Sequence, residues 1–241
     1  MSSSQSSPPE TSLVTHVIGF AHRGAPQSRS QGNTLPAFVR ALQLGASGLE
    51  TDIGLTADGV PILSHTGLSL RPGLQTGKLT RDQLPATMPS LRDLYERCGN
   101  HFELSLDMAQ PRAVDQVVEV AEEFGAVERL WLTYWRLPTL IAWRQRWPNV
   151  HLVYPSMPVR FSGATQLIDR LSGAGVDVLN VHHRLCRERL IAYAHLHDVR
   201  LFAWGIRSSP PLQRVVQLGV DGVYCDQVET MVRVLGQYEG S

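Results

Sequence analysis

The sequence predicts an α/β protein, a closed (β/α)8 barrel with a short insertion after its second strand. Three observations carry that prediction. From residue 13 onward, short apolar or alternating runs take turns with segments of helical period, as in a parallel sheet crossed by helices. The alternation repeats eight times when the insertion is counted with the second unit. Eight units in about 225 residues fit one closed barrel better than an open doubly wound sheet. The first strand is followed by no GxGxxG or Walker-type loop, which weakens a nucleotide-binding alternative.

The elements follow in order. His16 to Ala21 (HVIGFA) reads as a buried strand. Thr34 to Leu44 has helical spacing, with Asn33 or Thr34 to cap it, Pro36 in its first turn and Gly45 at its end. Gly48 to Thr56 alternates as a strand does, Asp58-Gly59 is a turn, and Val60 to Ser64 is extended again. Residues 66 to 90 lack a clear period and read as an insertion loop. Ser90 then caps a helix over Leu91 to Arg97. Phe102 to Met108 alternates, with Phe102, Leu104, Leu106 and Met108 on one face and Glu103, Ser105 and Asp107 on the other.

The later strands are Leu130–Thr133, His151–Tyr154, Val176–Val181, Arg200–Ile206 and Gly222–Asp226. The later helices are Ala113–Phe124, Leu137–Trp147, Thr165–Leu171, Arg187–His197, Pro211–Leu218 and Val228–Leu235. Residues 1–12, rich in Ser, Gln and Pro, read as a disordered tail ahead of a single domain over 13–241.

Composition narrows the function. The chain has 241 residues, 43% of them hydrophobic, with 22 basic and 22 acidic side chains. That apolar share supports a real core, and zero net charge argues against a nucleic-acid binder or a polybasic membrane-surface protein. No run approaches the roughly 20 apolar residues of a membrane span, and the N-terminus lacks the features of a signal peptide. Three scattered cysteines suit a reducing, cytoplasmic setting better than a disulfide framework. Lys78 is the one lysine. Any catalytic lysine is therefore Lys78 or absent, which disfavours a Schiff-base aldolase on the same fold.

Functional groups of such barrels gather at the C-terminal ends of the strands. The first strand ends in His22-Arg23-Gly24, the second carries Glu50 and Asp52, and His65 follows the next extended run. Carboxylates two residues apart on a strand share a face. Held close, they repel and require a counter-charge, which a hard divalent cation, Mg2+ or Ca2+, supplies through oxygen ligands. An arginine and two histidines at neighbouring strand ends add phosphate binding and proton transfer.

These residues, in the stretches FAHRGAPQ and GNTLPAFVRALQLGASGLETDIGLTADGVPILSHTG together with the later LFAWGI and GVDGVYCDQ, resemble the glycerophosphodiester phosphodiesterase family. The resemblance covers about residues 17 to 235. It implies a (β/α)8 barrel that hydrolyses a small-molecule glycerophosphodiester to an alcohol and glycerol 3-phosphate. It implies His22 and His65 as the acid–base pair, Arg23 as the phosphate clamp, Glu50 and Asp52 as metal ligands and Trp204 as a substrate-side aromatic.

The chain also departs from the family pattern. Gly32 stands where the family has a glutamate, and Thr66 follows His65 in place of an aspartate. The family's third-strand E-x-K becomes Ser105 and Asp107. Asp107 then acts as the third metal ligand, or the barrel is catalytically degenerate and binds a phosphorylated ligand or partner. Trp131, Trp135, Trp143 and Trp147 read as mostly packing between helix and barrel, with Trp135 able to line the mouth. One of His182 and His183 approaches the site, and Asp226 reads as a helix-capping or loop residue. The alcohol moiety and the oligomeric state are not legible.

Overall fold

The computed structural model describes residues 16–28, 31–64, 78–156 and 161–238. The tail at residues 1–12, His65 and residues 66–77 of the insertion lie outside the described residues. The strands are β1 (Ile18–His22), β2 (Gly48–Leu55), β3 (Pro61–Leu63), β4 (Glu103–Met108), β5 (Leu130–Thr133), β6 (His151–Pro155), β7 (Val178–His182), β8 (Arg200–Ile206) and β9 (Gly222–Cys225). The helices are α1 (Leu35–Gln43), α2 (Leu91–Cys98), α3 (Val114–Glu123), α4 (Leu137–Arg146), α5 (Phe161–Gly173), α6 (Glu188–Leu196), α7 (Ser209–Gln217) and α8 (Val228–Tyr238). All strands except β3 run parallel, and β1 pairs with both β2 and β9. The sheet therefore closes into an eight-stranded TIM barrel ringed by eight helices.

The extended run after Asp58-Gly59 is not a barrel strand. It folds back as β3, antiparallel to β2, with Ile53 opposite Leu63. Residues 78–90 of the insertion return to this hairpin rather than standing clear of it. Ala57 N–H donates to the Leu79 carbonyl at 2.8 Å, and Arg81 N–H donates to Asp58 at 3.0 Å. A short 3-10 turn, Arg81–Gln83, follows, with Thr80 and Gln83 forming a capping box. Ser90 caps α2 reciprocally with Asp93, as its sequence predicts. Proline in the first turn opens α1, α4 and α7, where a missing N–H leaves no helical hydrogen bond unmade.

Side chains alternate between two cores. Outward residues such as Leu49, Ile53, Leu104, Leu106 and Val223 pack beneath the helices. Inward residues Phe20, Trp131, Val153, Val178, Phe202 and Tyr224 form a separate core inside the barrel. Trp131 belongs to this inner core, not to the helix–barrel layer expected for it.

The registers stack inward residues in layers drawn from alternate strands, as the stagger of such a barrel requires. Phe20, Ser105, Val153 and Phe202 form one layer. Glu50, Thr133, Asn180 and Tyr224 lie above it, and His22, Asp107, Pro155 and Trp204 above those. The barrel is thus apolar at its centre and increasingly polar toward its C-terminal mouth.

Gly222 makes the inner core possible. A Cβ there would come within 2.7 Å of the buried Phe202 ring. Gly222→Ala is therefore expected to destabilise the protein by about 1–3 kcal/mol through overpacking, read as a lower urea midpoint at unchanged slope.

Candidate active site

The site begins where β1 ends. Arg23 takes a left-handed backbone conformation, φ 61°, and Gly24 follows at φ 79°. A non-glycine residue there carries strain that its surroundings must hold. Two contacts hold it. Arg23 N–H faces both the backbone carbonyl of Glu50 at 3.0 Å and its carboxylate at 3.1 Å. Asn33 N–H donates to the Arg23 carbonyl at 3.1 Å, while the Asn33 side chain accepts from the buried Thr51 hydroxyl at 3.0 Å. The Arg23 guanidinium lies over Gly32, where a Cβ would meet its Nε at 2.8 Å. Glycine at that position leaves the guanidinium its place.

His22 projects inward at the same level. Its Nδ1 is 2.5 Å from Asp226 Oδ1, and its Nε2 is 3.8 Å from Glu50 Oε2. Burial alone would lower the His22 pKa, but the Asp226 hydrogen bond and the charges of Glu50 and Asp226 outweigh it and raise it. The hydrogen bond to His22 in turn holds Asp226 below the usual carboxylate range. The dyad fixes one imidazole nitrogen and turns the other toward the cavity. Asp226, read from sequence as a capping or loop residue, is a member of the site.

Glu50 is 5% exposed. Burial pushes its carboxyl up to about 8, His22 opposes the rise, and the charges of Asp107 and Asp52 add to it. Asp107 stands opposite Asp52 in the β2–β4 register, two residues above Ser105. Its side chain is exposed at the open mouth, with protein atoms crowded around it. Burial followed by the charge of Asp52 pushes its carboxyl up to about 7. Both shifts are those of acids drawn out of water beside like charges.

Ser105 takes no part in this crowding. It is fully buried, and its hydroxyl pairs with Tyr224 Oη at 2.9 Å. The third-strand position where the family pattern expects a metal ligand is therefore a neutral hydrogen-bonded pair. The carboxylate of that strand lies one inward position nearer the mouth.

The opposite wall is less charged. Trp204 is 39% exposed and meets the His182 ring edge-on at 4.7 Å. His182 is held below the usual histidine range by burial and by Arg184 and Arg207. Below it, Asn180 and Thr133 are buried inward side chains; Asn180 Oδ1 has no hydrogen-bond partner among the described residues, and Thr133 lies beside Asp107, whose rise in pKa it opposes. The inward parity of β5 and β7 was the signal that could have found them. Trp135 lies just past β5 and is 64% exposed.

The donor set suits a hard divalent cation in kind, because Glu50, Asp52 and Asp107 offer only oxygen and lie close enough to raise one another's pKa. It does not converge on one point as arranged. Among the described residues, no three His, Cys, Asp or Glu side chains stand close enough together to hold a metal ion.

Comparison with known proteins places this arrangement. The model of the Glycerophosphoryl diester phosphodiesterase family matches residues 22–82, from His22 through Glu50 and Asp52. A glycerophosphodiester phosphodiesterase of Caldanaerobacter subterraneus is 22% identical over 248 residues, covering 91% of this chain and 98% of that protein. The chain is similar to glycerophosphodiester phosphodiesterases, through the family model over residues 22–82 and through this relative over nearly its whole length. Solved structures share the fold of this chain. One from Parabacteroides distasonis has a TM-score of 0.78 at 18% identity, covering 93% of this chain and 99% of that one. A phosphodiesterase of Oleispira antarctica, solved with the product sn-glycerol-3-phosphate, has a TM-score of 0.77 at 19% identity, covering 90% and 96%.

The geometry of the dyad yields a test. In Asp226→Asn, the His22 pKa is expected to fall, because the hydrogen bond and charge that raise it are weakened. Titration of the His22 ring by NMR reads this directly, and an unchanged His22 pKa would show that Asp226 does not set it.

Proposed function

We propose that this protein is a phosphoric diester hydrolase that cleaves glycerophosphodiesters to an alcohol and glycerol 3-phosphate. The observation that carries the proposal is the His22–Asp226 pair standing beside Arg23 and the three carboxylates at the mouth of the barrel. A catalytically degenerate barrel is the weaker reading. It leaves unexplained a positioned histidine and a third carboxylate on the strand next to Glu50 and Asp52.

The residues take the following roles. Arg23, fixed by its backbone contacts to Glu50, binds a non-bridging phosphoryl oxygen through its guanidinium. Asp226 holds the proton on His22 Nδ1, so His22 exchanges protons at Nε2. His22 and His65 form the acid–base pair. One removes a proton from the attacking hydroxyl or water as the new P–O bond forms. The other protonates the alkoxide as the ester P–O bond breaks. Trp204 offers its face to the substrate arm on the far wall.

Glu50, Asp52 and Asp107 would hold the divalent cation, Mg2+ or Ca2+. When bound, such a cation gathers the negative charge that develops on the phosphoryl oxygens. The substrate is a small molecule, and no helix among the described residues is long and apolar enough to cross a membrane. The free thiols of Cys98, Cys186 and Cys225 support a reducing, cytoplasmic setting.

Three expectations test this reading. Glycerophosphocholine hydrolysis, followed by released glycerol 3-phosphate, should require a divalent cation and disappear with EDTA. His22→Ala should reduce kcat by about 10²–10⁴-fold. No turnover with Mg2+, Ca2+ or Mn2+ would end the proposal.

The third expectation concerns stability. Glu50 and Asp107 have folded-state pKa values above their unfolded ones, near 8 and 7. The folded protein therefore binds more protons than the unfolded chain between the two sets of values, and stability falls as pH rises through that range. In EDTA, Tm should drop from about pH 5 to about pH 8. Added Mg2+ or Ca2+ should restore more of it at the higher pH, where both carboxylates ionise.

A further inference from the structure

We propose that Arg207 is a second anion-binding cation of the barrel mouth, aimed by a β-bulge to meet the substrate's phosphoryl group beside His22. The proposal rests on the phosphodiester reading and specifies which further residue holds the anion.

The register of β8 and β9 contains the first observation. Phe202 lies opposite Gly222 and Ala203 opposite Val223, but Ile206, not Gly205, lies opposite Cys225. One extra residue has entered β8. Phe202 packs in the inner core, Ala203 in the outer core, and Trp204 inward against His182. Ile206 is again in the outer core. Gly205 is therefore the inserted residue. Its φ is +79°, and a Cβ there would lie 2.7 Å from the His182 ring.

A bulge resets the alternation of every residue after it. In a regular strand Ile206 would face the mouth and Arg207 the helices. The bulge reverses this, and Arg207 follows Ile206 onto the inner side.

The second observation is what Arg207 meets there. On β9, Tyr224 faces inward and Cys225 outward; Asp226, just past its end, turns inward to His22. Arg207 Nε lies 3.5 Å from Asp226 Oδ2, while Oδ1 of the same carboxylate lies 2.5 Å from His22 Nδ1. Asp226 thus joins Arg207 to His22. The Arg207 side chain is 80% exposed. A guanidinium carries five N–H donors, so turning Nε–H toward Asp226 still leaves its Nη edge for an incoming anion.

The third observation is charge. Glu50, Asp52, Asp107 and Asp226 all face the mouth. A diester anion entering there is repelled unless cations offset them. Arg23 provides one on the β1 side. Arg207 provides another on the β8 side, across His22 from it, and a planar fork matches phosphate oxygens in two places at once.

Isothermal titration with sn-glycerol 3-phosphate, beside steady-state glycerophosphocholine hydrolysis, tests the proposal in Arg207→Gln and Arg207→Lys. Arg207→Gln should weaken glycerol 3-phosphate binding and raise KM by about tenfold, with kcat changed less than KM. Arg207→Lys should recover part of both, and the thermal midpoint should stay at the wild-type value. Unchanged affinity and KM in Arg207→Gln would overturn the proposal. So would a loss confined to kcat with a shifted pH profile, which would make Arg207 a positioning residue for Asp226 and His22. The titration needs no turnover. A wild type that binds glycerol 3-phosphate through Arg207 yet hydrolyses nothing would defeat the hydrolase reading alone.

Discussion

The interaction on which the site depends is the repulsion among Glu50, Asp52 and Asp107. Two adjacent parallel strands, β2 and β4, carry these carboxylates inward with Asp52 directly opposite Asp107. Burial first, and then the charges of the neighbouring acids, favour the protonated forms, which is the direction in which Glu50 and Asp107 both move. The groups around them answer that repulsion. Arg23 adopts a strained backbone that lets its N–H face Glu50. His22 is drawn toward its charged form by Glu50 and Asp226. Ser105 and Tyr224 seal the floor beneath with a neutral pair.

The barrel makes the cluster tolerable by dividing its axis. Stacked aromatic rings fill the centre, with Phe20 4.9 Å from Tyr224 and 5.5 Å from Phe202. Above this centre Ser105 pairs with Tyr224, and the acids Glu50, Asp52 and Asp107 lie toward the C-terminal mouth. The apolar layers below hold the strands in register. Charge is also divided around the mouth. Glu50, Asp52 and Asp107 occupy the β2–β4 side, whereas His182, Arg184 and Arg207 lie on the β7–β8 side, with Asp226 between Arg207 and His22.

The local parts of this arrangement were legible in the sequence. His22-Arg23 and Glu50-x-Asp52 could be placed at strand ends because two-residue alternation and a following helix locate an end and a face. The same alternation put Asp107 on the inward face of its strand. What sequence could not reveal depends on partners far along the chain. Asp226 is 204 positions from the histidine it binds, and only barrel closure brings the first and last strands together. The bulge at Gly205 was hidden because LFAWGI reads as an unbroken strand, and one glycine does not announce an extra residue. The run at Pro61–Leu63 read as extended, which was right. Its antiparallel return onto β2 follows from the short Asp58-Gly59 turn, since a parallel crossover needs a longer connection.

The departure from E-x-K to Ser105 and Asp107 moves the third strand's acid one inward position toward the mouth and removes a cation from it. The central claim is that the moved acid still serves a divalent cation with Glu50 and Asp52. Anomalous diffraction from a Mn2+-soaked crystal tests it most directly. The account predicts one strong peak at the mouth, with Asp107 bound directly or through one water and Glu50 and Asp52 completing the site. No peak at saturating Mn2+, or a peak held by Glu50 and Asp52 with Asp107 turned away, would contradict it.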